Sequence, residues 1–399
     1  TPAEVTVTAN NTGKVYGEAD PELTATVTGT LNDDTVDYTV TRDAGEDVGT
    51  YAIHVTGDED QGNYHVTYTA GEFEITKSGE LKLTAELTGE SATKVYDGTP
   101  LTGGATANVK EGTTITYSTD GGTTWTTDVP AITNVGTLNI TATAENPNYE
   151  PAETTYSLTV THATATVTAD DKTKTYGEAD PEFTANVKGV IETEKDTVQI
   201  AYNTPLTRDA GEAKGTYTIH VDGEEYQGNY HVEYVAGTLT VTQQTIDPED
   251  PDPEKEYLGV TVDTPSDVTY DGNEHKWTPT VLDADEKALT EGTDYTVSYD
   301  TEDFTNVHTI TVTIEGIGNY TGTVVRTYAI TPAEVTVTAN NTGKVYGEAD
   351  PELTAKVEGT IGNDEVIFKL ERDPGEDVGT YVINVTGDED QGNYRVIYT

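Results

Sequence analysis

Residues 1–25 read TPAEVTVTANNTGKVYGEADPELTA, and residues 331–355 repeat this stretch letter for letter. A third copy begins at about Ala163, where DKTKTYGEADPEFTA, TRDAGEAKGTYTIHV and QGNYHVEY match segments of the first copy. This third copy carries a short insertion near residues 192–196. Self-similarity of this kind is the signature of a repeat protein, so it decides the architecture before any other feature does.

Two more divergent repeats fill the gaps between these copies. The first of them carries KVYDGTPL, NVGTLNITA, NPNYEP and TYSLTV in order, and the second carries VTYDGNEH, NVHTITVTI, GIGNYTG and RTYAIT. The order of these landmarks follows that of the other three copies. We therefore predict β-sandwich domains over residues 1–77, 78–162, 163–243, 256–331 and 332–399, with an acidic, proline-rich linker over 244–255.

Apolar residues alternate with polar ones between the turns, as in Val5/Val7 and Tyr51/Ile53/Val55. A period of two indicates half-buried strands, and repeats of about 80 residues have the size of an immunoglobulin-like sandwich. The junctions near residues 159–169 and 328–332 leave almost no linker. The sequence therefore predicts an all-β chain of tandem immunoglobulin-like β-sandwich domains, arranged end to end as an extended rod. The proline-rich linker is predicted to be a semi-rigid polyproline spacer.

The composition excludes several classes of function. The chain has 399 residues with 72 acidic and 21 basic side chains, a net charge of −51, so nucleic acids and anionic membranes would repel it. It has no cysteine, which removes disulfides and thiol chemistry. It has no methionine and no apolar run long enough to span a bilayer, so we expect no membrane insertion here. The fifth repeat stops before the equivalent of the first repeat's last strand, and we expect the array to continue in both directions.

The landmarks YGEADPE, GTYxIxV and QGNY of the first, third and fifth repeats closely resemble the MBG domains (YGX type) of large bacterial cell-surface proteins. The Tyr-Asp-Gly of the second and fourth repeats resembles the related YDG-type repeats. The resemblance implies immunoglobulin-like sandwiches in a wall-anchored adhesin or stalk. It implies no particular binding residue.

No catalytic constellation is present in the sequence: there is no GxSxG elbow, no GxxxxGK loop and no HExxH motif. Four histidines could form two metal-binding pairs, His54 with His65 and His220 with His231, if they lie on neighbouring strands. The fifth repeat has Asn384 in place of the first of these histidines, which favours exposed strand histidines instead. We expect no enzyme activity.

Calcium is the one cofactor that the sequence leaves open. Acidic turns place Asp58, Asp60, Asp388 and Asp390 where their oxygens could hold an ion, although a solvated loop is favoured and the EF-hand spacing is absent.

Recurring lysines form a second open question, because each stands two residues before a landmark tyrosine. They are interpreted as edge-strand residues that discourage pairing, with an isopeptide crosslink as the alternative. These lysines are Lys14, Lys94, Lys174 and Lys344.

Recurring tyrosines allow two interpretations. Those that follow an asparagine are interpreted as structural anchors, with a sugar-stacking platform as the alternative: Tyr64, Tyr230, Tyr320 and Tyr394. The tyrosine of the GTYxIxV landmark is predicted to be buried, with its hydroxyl bonded near the preceding turn: Tyr51, Tyr217 and Tyr381.

Three functions follow from these features. The first is a non-enzymatic stalk of an extracellular adhesin or fibre, anchored to the cell wall through a segment outside this sequence, which projects a terminal binding region. The second is multivalent binding of mucin or host glycans by the repeats themselves. The third is self-association with neighbouring copies as a fibre or biofilm matrix.

Overall fold

The computed structural model describes residues 1–86, 92–250 and 257–399. The described residues form strands, turns and one short 3₁₀ helix at Glu192–Glu194, which lies in the insertion of the third repeat. The all-β fold of repeated β-sandwiches is therefore confirmed. No helix among the described residues is long and apolar enough to cross a membrane.

The chain divides into two compact units. Compact unit 1 comprises Thr1–Val167, Val187–Tyr202 and Gly223–Tyr234. Compact unit 2 comprises Thr168–Asn186, Asn203–Asp222 and Val235–Thr399. The predicted domain boundaries and the end-to-end rod stay predictions of the sequence.

The first repeat shows the complete sandwich. Its strands are β1 (Ala3–Ala9), β2 (Thr12–Val15), β3 (Ala25–Thr28), β4 (Thr39–Arg42), β5 (Gly49–Thr56), β6 (Asp60–Gln61), β7 (Tyr64–Thr69) and β8 (Gly71–Thr76). They form two sheets with the strand orders β3-β1-β7-β6 and β2-β8-β5-β4. Strand β1 runs parallel to β7, and β2 runs parallel to β8.

The core of the first repeat lies between these two sheets. Val5 and Val66 come from one sheet, and Ile53, Phe73 and Ile75 from the other, and each is at most 1% exposed. The inward residues alternate with outward ones along β1, as the period of two in the sequence predicts. Burial of these large apolar side chains supplies the main stabilisation of a domain without disulfides.

The second repeat is built around a long hairpin. Its strands are β9 (Leu83–Glu86), β10 (Thr93–Val95), β11 (Leu101–Thr102), β12 (Gly104–Ala107), β13 (Thr114–Ser118), β14 (Ala131–Ile132), β15 (Gly136–Asn146) and β16 (Tyr149–Thr161). The main sheet has the order β10-β16-β15-β13, and β11-β14 and β12-β9 form two-stranded sheets.

The third repeat has the same two sheet orders as the first. Its strands are β17 (Ala163–Ala169), β18 (Lys172–Thr175), β19 (Ala185–Lys188), β20 (Thr207–Arg208), β21 (Gly215–His220), β22 (Tyr226–Gln227), β23 (Tyr230–Val235) and β24 (Gly237–Thr242). The sheets are β19-β17-β23-β22 and β18-β24-β21-β20.

The fourth repeat resembles the second in its sheets. Its strands are β25 (Gln244–Thr245), β26 (Thr261–Val262), β27 (Val268–Thr269), β28 (Val281–Leu282), β29 (Tyr295–Tyr299), β30 (His308–Gly316), β31 (Tyr320–Thr321) and β32 (Thr323–Thr331). The main sheet is β27-β32-β30-β29, with the pairs β25-β31 and β26-β28 beside it.

The fifth repeat has one full sheet and one reduced sheet. Its strands are β33 (Ala333–Ala339), β34 (Ala355–Glu358), β35 (Lys369–Arg372), β36 (Ile383–Thr386), β37 (Asp390–Gln391) and β38 (Tyr394–Tyr398), in the sheets β34-β33-β38-β37 and β35-β36. Residues 342–345, which match β2, form no strand. In the first repeat the matching strand β2 pairs with β8.

The predicted linker over 244–255 is wrong at its start. Gln244 and Thr245 form β25 and pair in parallel with Tyr320 and Thr321 of the fourth repeat, and Ile246 is fully buried. Residues 244–246 are therefore part of a packed domain. The backbone of Gln244 and Thr245 pairs with a neighbouring strand, as buried backbone groups require. Residues 251–256 of the predicted linker lie outside the described residues.

Candidate functional site

Compact unit 1 contains two junctions between consecutive repeats, and an asparagine bridges each of them. Asn148 Oδ1 of the second repeat accepts a hydrogen bond of 2.8 Å from the backbone N–H of Val48 in the first repeat. Asn229 Oδ1 of the third repeat accepts one of 3.0 Å from the N–H of Val135 in the second. Both asparagines stand directly before a landmark tyrosine, so the same motif supplies both contacts.

Compact unit 2 contains the next two junctions with the same arrangement. Asn319 Oδ1 of the fourth repeat accepts a hydrogen bond of 2.8 Å from the N–H of Lys214 in the third. Asn393 Oδ1 of the fifth repeat accepts one of 2.9 Å from the N–H of Val307 in the fourth. We call this arrangement the asparagine joint: an Asn before a landmark tyrosine, bonded to the backbone N–H at the start of the long strand in the previous repeat.

The backbone of each joint asparagine holds its own repeat in place. The carbonyl oxygen of Asn148 accepts from the N–H of Ser78, and that of Asn393 accepts from the N–H of Ala333, at 3.1 and 3.0 Å. Ser78 and Ala333 open their repeats. One residue therefore ties the entry of its own domain to the end of the previous domain, which leaves little freedom at the junction.

An edge-to-face pair of tyrosines packs beside each asparagine joint. One ring follows the joint asparagine, and the other comes from the Tyr-Gly or Tyr-Asp-Gly turn of the previous repeat. The ring centroids lie 5.3 to 5.8 Å apart, which is the preferred spacing of such pairs: Tyr16–Tyr149, Tyr96–Tyr230, Tyr176–Tyr320 and Tyr270–Tyr394.

A carboxylate strengthens the joints that lead into the third and fifth repeats. Asp364 Oδ2 accepts from the hydroxyls of both Tyr270 and Tyr394, at 3.1 and 2.7 Å. Burial, with the neighbouring Asp364 carboxylate, raises the pKa of Tyr394 to about 12. In compact unit 1, Glu194 accepts from Tyr96 and Tyr230 in the same way. Both hydroxyls are thus ordered by one acceptor.

A second recurring feature lies inside the first repeat, where four charged side chains form an ion cluster. Lys14 Nζ lies 2.7 Å from Asp20 Oδ1 and also contacts Glu46. Arg42 contacts the same two carboxylates at 2.6 Å each, and its Nη1 donates to the carbonyl of Gly45. The Lys14 side chain is 4% exposed, so its charge is compensated by direct contact.

This ion cluster recurs in the third and fifth repeats, as Lys174/Asp180/Arg208/Glu212 and Lys344/Asp350/Arg372/Glu376. In each cluster the arginine is the largest influence on the aspartate, and it lowers the pKa of Asp20, Asp180 and Asp350 to about 2. The KxYGEADPE and RDxGE segments that the three repeats share therefore encode an internal network of charges.

The lysine prediction needs correction. Lys14 and Lys174 lie on strands at the edge of a sheet, but their side chains point inward to carboxylates and do not face solvent to discourage pairing. Lys94 is paired with Asp97 at 2.6 Å instead. Arg42 beside Asp20 lowers the pKa of this carboxyl to about 2, which disfavours the neutral carboxyl group that amide formation requires, and the isopeptide alternative stays a prediction to test.

The prediction for Tyr51 is confirmed in its hydrogen bond and wrong in its burial. The Tyr51 hydroxyl donates to the carbonyl of Asp47 at 2.8 Å, but the ring is only half-buried. Arg42 lies over the ring, 5.6 Å from its centroid, and so covers a face that the core does not. A methyl group built on Gly45 would lie 2.2 Å from Cε1 of Tyr51, which explains the glycine in DAGE.

The histidine pairs are not brought together on neighbouring strands. His54 lies on β5 and His65 on β7, which belong to different sheets. Each has its own carboxylate, Asp43 at 2.8 Å and Asp60 at 3.1 Å. His220 and His231 likewise lie on strands of different sheets. The expectation that these residues neighbour one another is therefore wrong.

Of the four calcium candidates, Asp58 and Asp388 lie in loops, and Asp60 and Asp390 begin the short strands β6 and β37. The carbonyl oxygens of Asp58 and Asp388 accept hydrogen bonds from tyrosine hydroxyls at 2.9 and 2.8 Å, and the Asp60 carboxylate pairs with His65. Asp390 pairs through its backbone with Arg395. No group of three or more acidic or histidine side chains within the described ranges has a metal-binding arrangement. Calcium binding stays a prediction to test.

The tyrosines considered as sugar platforms are anchors. Tyr64, Tyr230, Tyr320 and Tyr394 are at most 7% exposed, so their ring faces cannot stack on a glycan. Sequence reasoning missed the asparagine before each of them. The signal was available, because Asn-Tyr recurs in all five repeats even where the flanking residues differ.

Tandem β-sandwich repeats joined through the same asparagine contact define the class of this protein. Comparison with protein families then gives its place: the MBG domain (YGX type) matches residues 5–74, 165–240 and 335–399, more than half of the chain. The chain belongs to this family. The YDG-type assignment of the second and fourth repeats stays an interpretation of their sequence.

The chain also matches solved structures at low sequence identity and low TM-score, three of which follow. The extracellular cadherin domains 3–6 of protocadherin gamma B2 are 9% identical, with 82% of this chain and 99% of that chain covered at a TM-score of 0.27. The human desmocollin-1 ectodomain is 10% identical, with 99% and 98% covered at 0.22. The eight N-terminal immunoglobulin domains of Down syndrome cell adhesion molecule are 11% identical, with 100% and 61% covered at 0.19. Comparison with curated proteins gives no match.

Proposed function

We propose that this chain is a non-enzymatic stalk segment of an extracellular bacterial surface adhesin or fibre, which holds a terminal binding region away from the cell. The observation that carries this proposal is the asparagine joint, which recurs at the junctions inside each compact unit. A stalk must keep the direction of each domain relative to the next. A joint that satisfies backbone groups of both domains limits bending and twisting.

The charge of the chain supports the same role. A net charge of −51 keeps neighbouring molecules apart and soluble, as a crowded surface of stalks requires. In this proposal the anchoring to the cell wall lies in a segment outside this sequence.

Multivalent binding of mucin or glycans has less support. The tyrosines that would serve as platforms are buried, three of them at the joints, and their hydroxyls are engaged where an acceptor carboxylate is present. A glycan array probed with the whole chain distinguishes the two functions. Strong binding to a defined glycan class would support the binder and contradict a purely mechanical role.

The stalk proposal is tested by the rigidity of one joint. The chain contains no cysteine, so Thr41→Cys and Thr155→Cys introduce two unique labelling sites, both exposed, in the first and second repeats. Spin labels at these sites should give a narrow distribution of distances in electron resonance. Asn148→Ala should broaden it, because the N–H of Val48 loses its acceptor.

A matched substitution controls for general effects of losing an asparagine. Asn10→Ala removes hydrogen bonds to Thr24 and Thr26 inside the first repeat and touches no joint, so the narrow distribution should persist. The stalk proposal would be contradicted by either of two results. One is a distribution of label distances in Asn148→Ala as narrow as that in Asn10→Ala, and the other is a broad distribution in the labelled chain without these substitutions.

A further inference from the structure

The first repeat carries a copy of the surface that the third and fifth repeats use in their joints. We define its start face as Leu31, Asp34, Asn63 and Tyr64. Leu31 is 59% exposed, and the Asn63 side-chain amide has no hydrogen-bond partner within the described ranges. Among the residues that the structure describes, Asp34 Oδ2 accepts a hydrogen bond from the hydroxyl of its own repeat's Tyr64 alone, at 2.8 Å.

The fifth repeat shows the same face in its occupied form. The equivalent positions are Ile361, Asp364, Asn393 and Tyr394, each 330 residues later in the sequence. There the asparagine accepts from the N–H of Val307, and the aspartate accepts from a second tyrosine, Tyr270, in the fourth repeat. Ile361 is half-buried because it packs beside the Tyr-Asp-Gly turn, where a methyl built on Gly272 would lie 3.1 Å from its Cγ2.

The third repeat shows this occupied face once more. Asn229 and Glu194 accept hydrogen bonds from Val135 and Tyr96 of the second repeat. Ile191 lies beside the turn at Gly98, where a built methyl would lie 3.9 Å from its Cγ2. Two independent joints therefore use an aliphatic side chain, a carboxylate and an asparagine for the same contacts.

The partner is of the same kind at both occupied faces. Tyr96 and Tyr270 each belong to a Tyr-Asp-Gly turn, and each hydroxyl bonds to the carboxylate of the following repeat. In the joints at the Tyr-Gly turns, Tyr16 and Tyr176 face the second and fourth repeats and pack by their rings. The carboxylate thus distinguishes a Tyr-Asp-Gly partner from a Tyr-Gly partner.

We propose that the start face of the first repeat is a docking surface for the end of a Tyr-Asp-Gly repeat like the fourth one. In this complex Asp34 accepts a hydrogen bond from the hydroxyl of the partner's tyrosine. Asn63 accepts one from the backbone N–H at the start of the partner's long strand, and Leu31 covers the glycine of the partner's Tyr-Asp-Gly turn. The charges of the two surfaces allow these contacts, because Asp34 is the one charged group among them and its partners are neutral. This inference goes beyond the stalk proposal, which concerns the joints already formed.

The test places a copy of residues 244–330 directly before Thr1 of the whole chain. Residues 331–355 and 1–25 are identical, so this extension recreates the sequence of the natural fourth-to-fifth junction. One cysteine replaces the copied Thr309, and Thr67→Cys provides the second label in the first repeat. The reference is the unextended chain with Thr309→Cys and Ile397→Cys, since Thr67 and Ile397 are equivalent and all three sites are exposed.

The extended chain should give the same mean distance and width as the reference pair. Asn63→Ala in the extended chain should broaden the distribution, and since this side chain is exposed and unbonded, the first repeat itself should stay folded. A broad distribution in the unsubstituted extended chain, or no change with Asn63→Ala, overturns the proposal.

A second extension tests which kind of repeat is recognised. In this extension a copy of residues 163–243, a repeat of the Tyr-Gly type, is placed before Thr1 and labelled at the equivalent strand position. It should give a broader distribution of label distances than the copy of the fourth repeat. An equally narrow distribution would overturn the selectivity assigned to Asp34. These outcomes are independent of the stalk proposal, which depends on the Asn148 joint.

Discussion

Asn148 Oδ1 accepts a hydrogen bond of 2.8 Å from the backbone N–H of Val48, one hundred residues earlier in the chain, and its Nδ2 donates to the Asp47 side chain at 2.9 Å. A single side-chain amide therefore recognises two successive residues of the previous domain. Such a contact depends on direction as well as distance, because both partners must lie in the plane of the amide. This requirement gives the joint its definite geometry.

The first prediction concerns the exposure of the Val48 amide to solvent. Asn148→Ala should make hydrogen exchange at the N–H of Val48 about fivefold faster, since a typical hydrogen bond contributes about 1 kcal/mol. Exchange measured by mass spectrometry on peptides spanning Val48 checks this. Peptides from β7 should be unaffected, and unchanged exchange at Val48 would show that the bond does not form in solution.

The second prediction concerns acid sensitivity. The ordinary pKa of Asp20 is 3.8, and Arg42 with Lys14 lowers it to about 2. Because the folded value is depressed, the stabilisation is present above pH about 4 and is lost as the pH falls through about 2. Carboxyl-detected NMR with ¹³C-labelled aspartate should show a titration midpoint near pH about 2 for Asp20. The signal is assigned to Asp20 by its absence from the Asp20→Asn variant.

A matched pair of substitutions identifies the cause of that shift. Arg42→Gln should move the Asp20 midpoint upward, whereas Lys356→Gln, which breaks an exposed ion pair with Glu358, should leave it unchanged. A midpoint that does not move in Arg42→Gln would assign the shift to another neighbour.

The third prediction concerns Gly45. Gly45→Ala should destabilise the first repeat by roughly 1–3 kcal/mol, the usual effect of overpacking, because the new methyl would collide with the Tyr51 ring at a φ of 150°. Gly79→Ala is the control, since nothing lies within 4 Å of its built methyl. Urea denaturation followed by separate signals from the first repeat, which contains Gly45, and from the second repeat, which contains Gly79, checks both. Equal stability of the two variants would contradict the packing argument.

The fourth prediction is that calcium is not needed for folding. The carbonyls of Asp58 and Asp388 are already engaged by Tyr68 and Tyr398, so the turns are held without an ion. Thermal unfolding with excess calcium and with chelator should coincide. A large rise in melting temperature with calcium would instead identify the acidic turns as ligand sites, and Asp60→Asn should then reduce the rise.

The fifth prediction is the rod expected from the short linkers in the sequence. Five sandwiches in line, each roughly 35 Å long, have a radius of gyration near roughly 50 Å, whereas a globule of this length would give about 21 Å. Small-angle X-ray scattering measures this directly. A value below about 30 Å would contradict the rod.

Several features of the protein could be derived from residues 1–25 and their copies alone. Alternation in segments such as Val5–Val7 predicts strands, since side chains of a strand point to opposite faces and only one face is buried. The absence of cysteine and the charge of −51 exclude disulfides and polyanion partners without any coordinates. The landmark tyrosine is followed by a glycine because the turn requires a positive φ, which is 87° at Gly17 and which glycine adopts at little steric cost.

The roles of Lys14 and Asn148 could not be derived in this way. Lys14 has the sequence context of an edge strand, and only the position of Asp20 and Arg42 turns its side chain inward. Asn148 and Val48 are far apart in the chain and belong to different repeats, so no local pattern links them. The sequence by itself determined the strands, the repeats and the family, because these depend on local periodicity and similarity. Only the tertiary structure decided which residues join one domain to the next, because those contacts exist only after two folded surfaces have met.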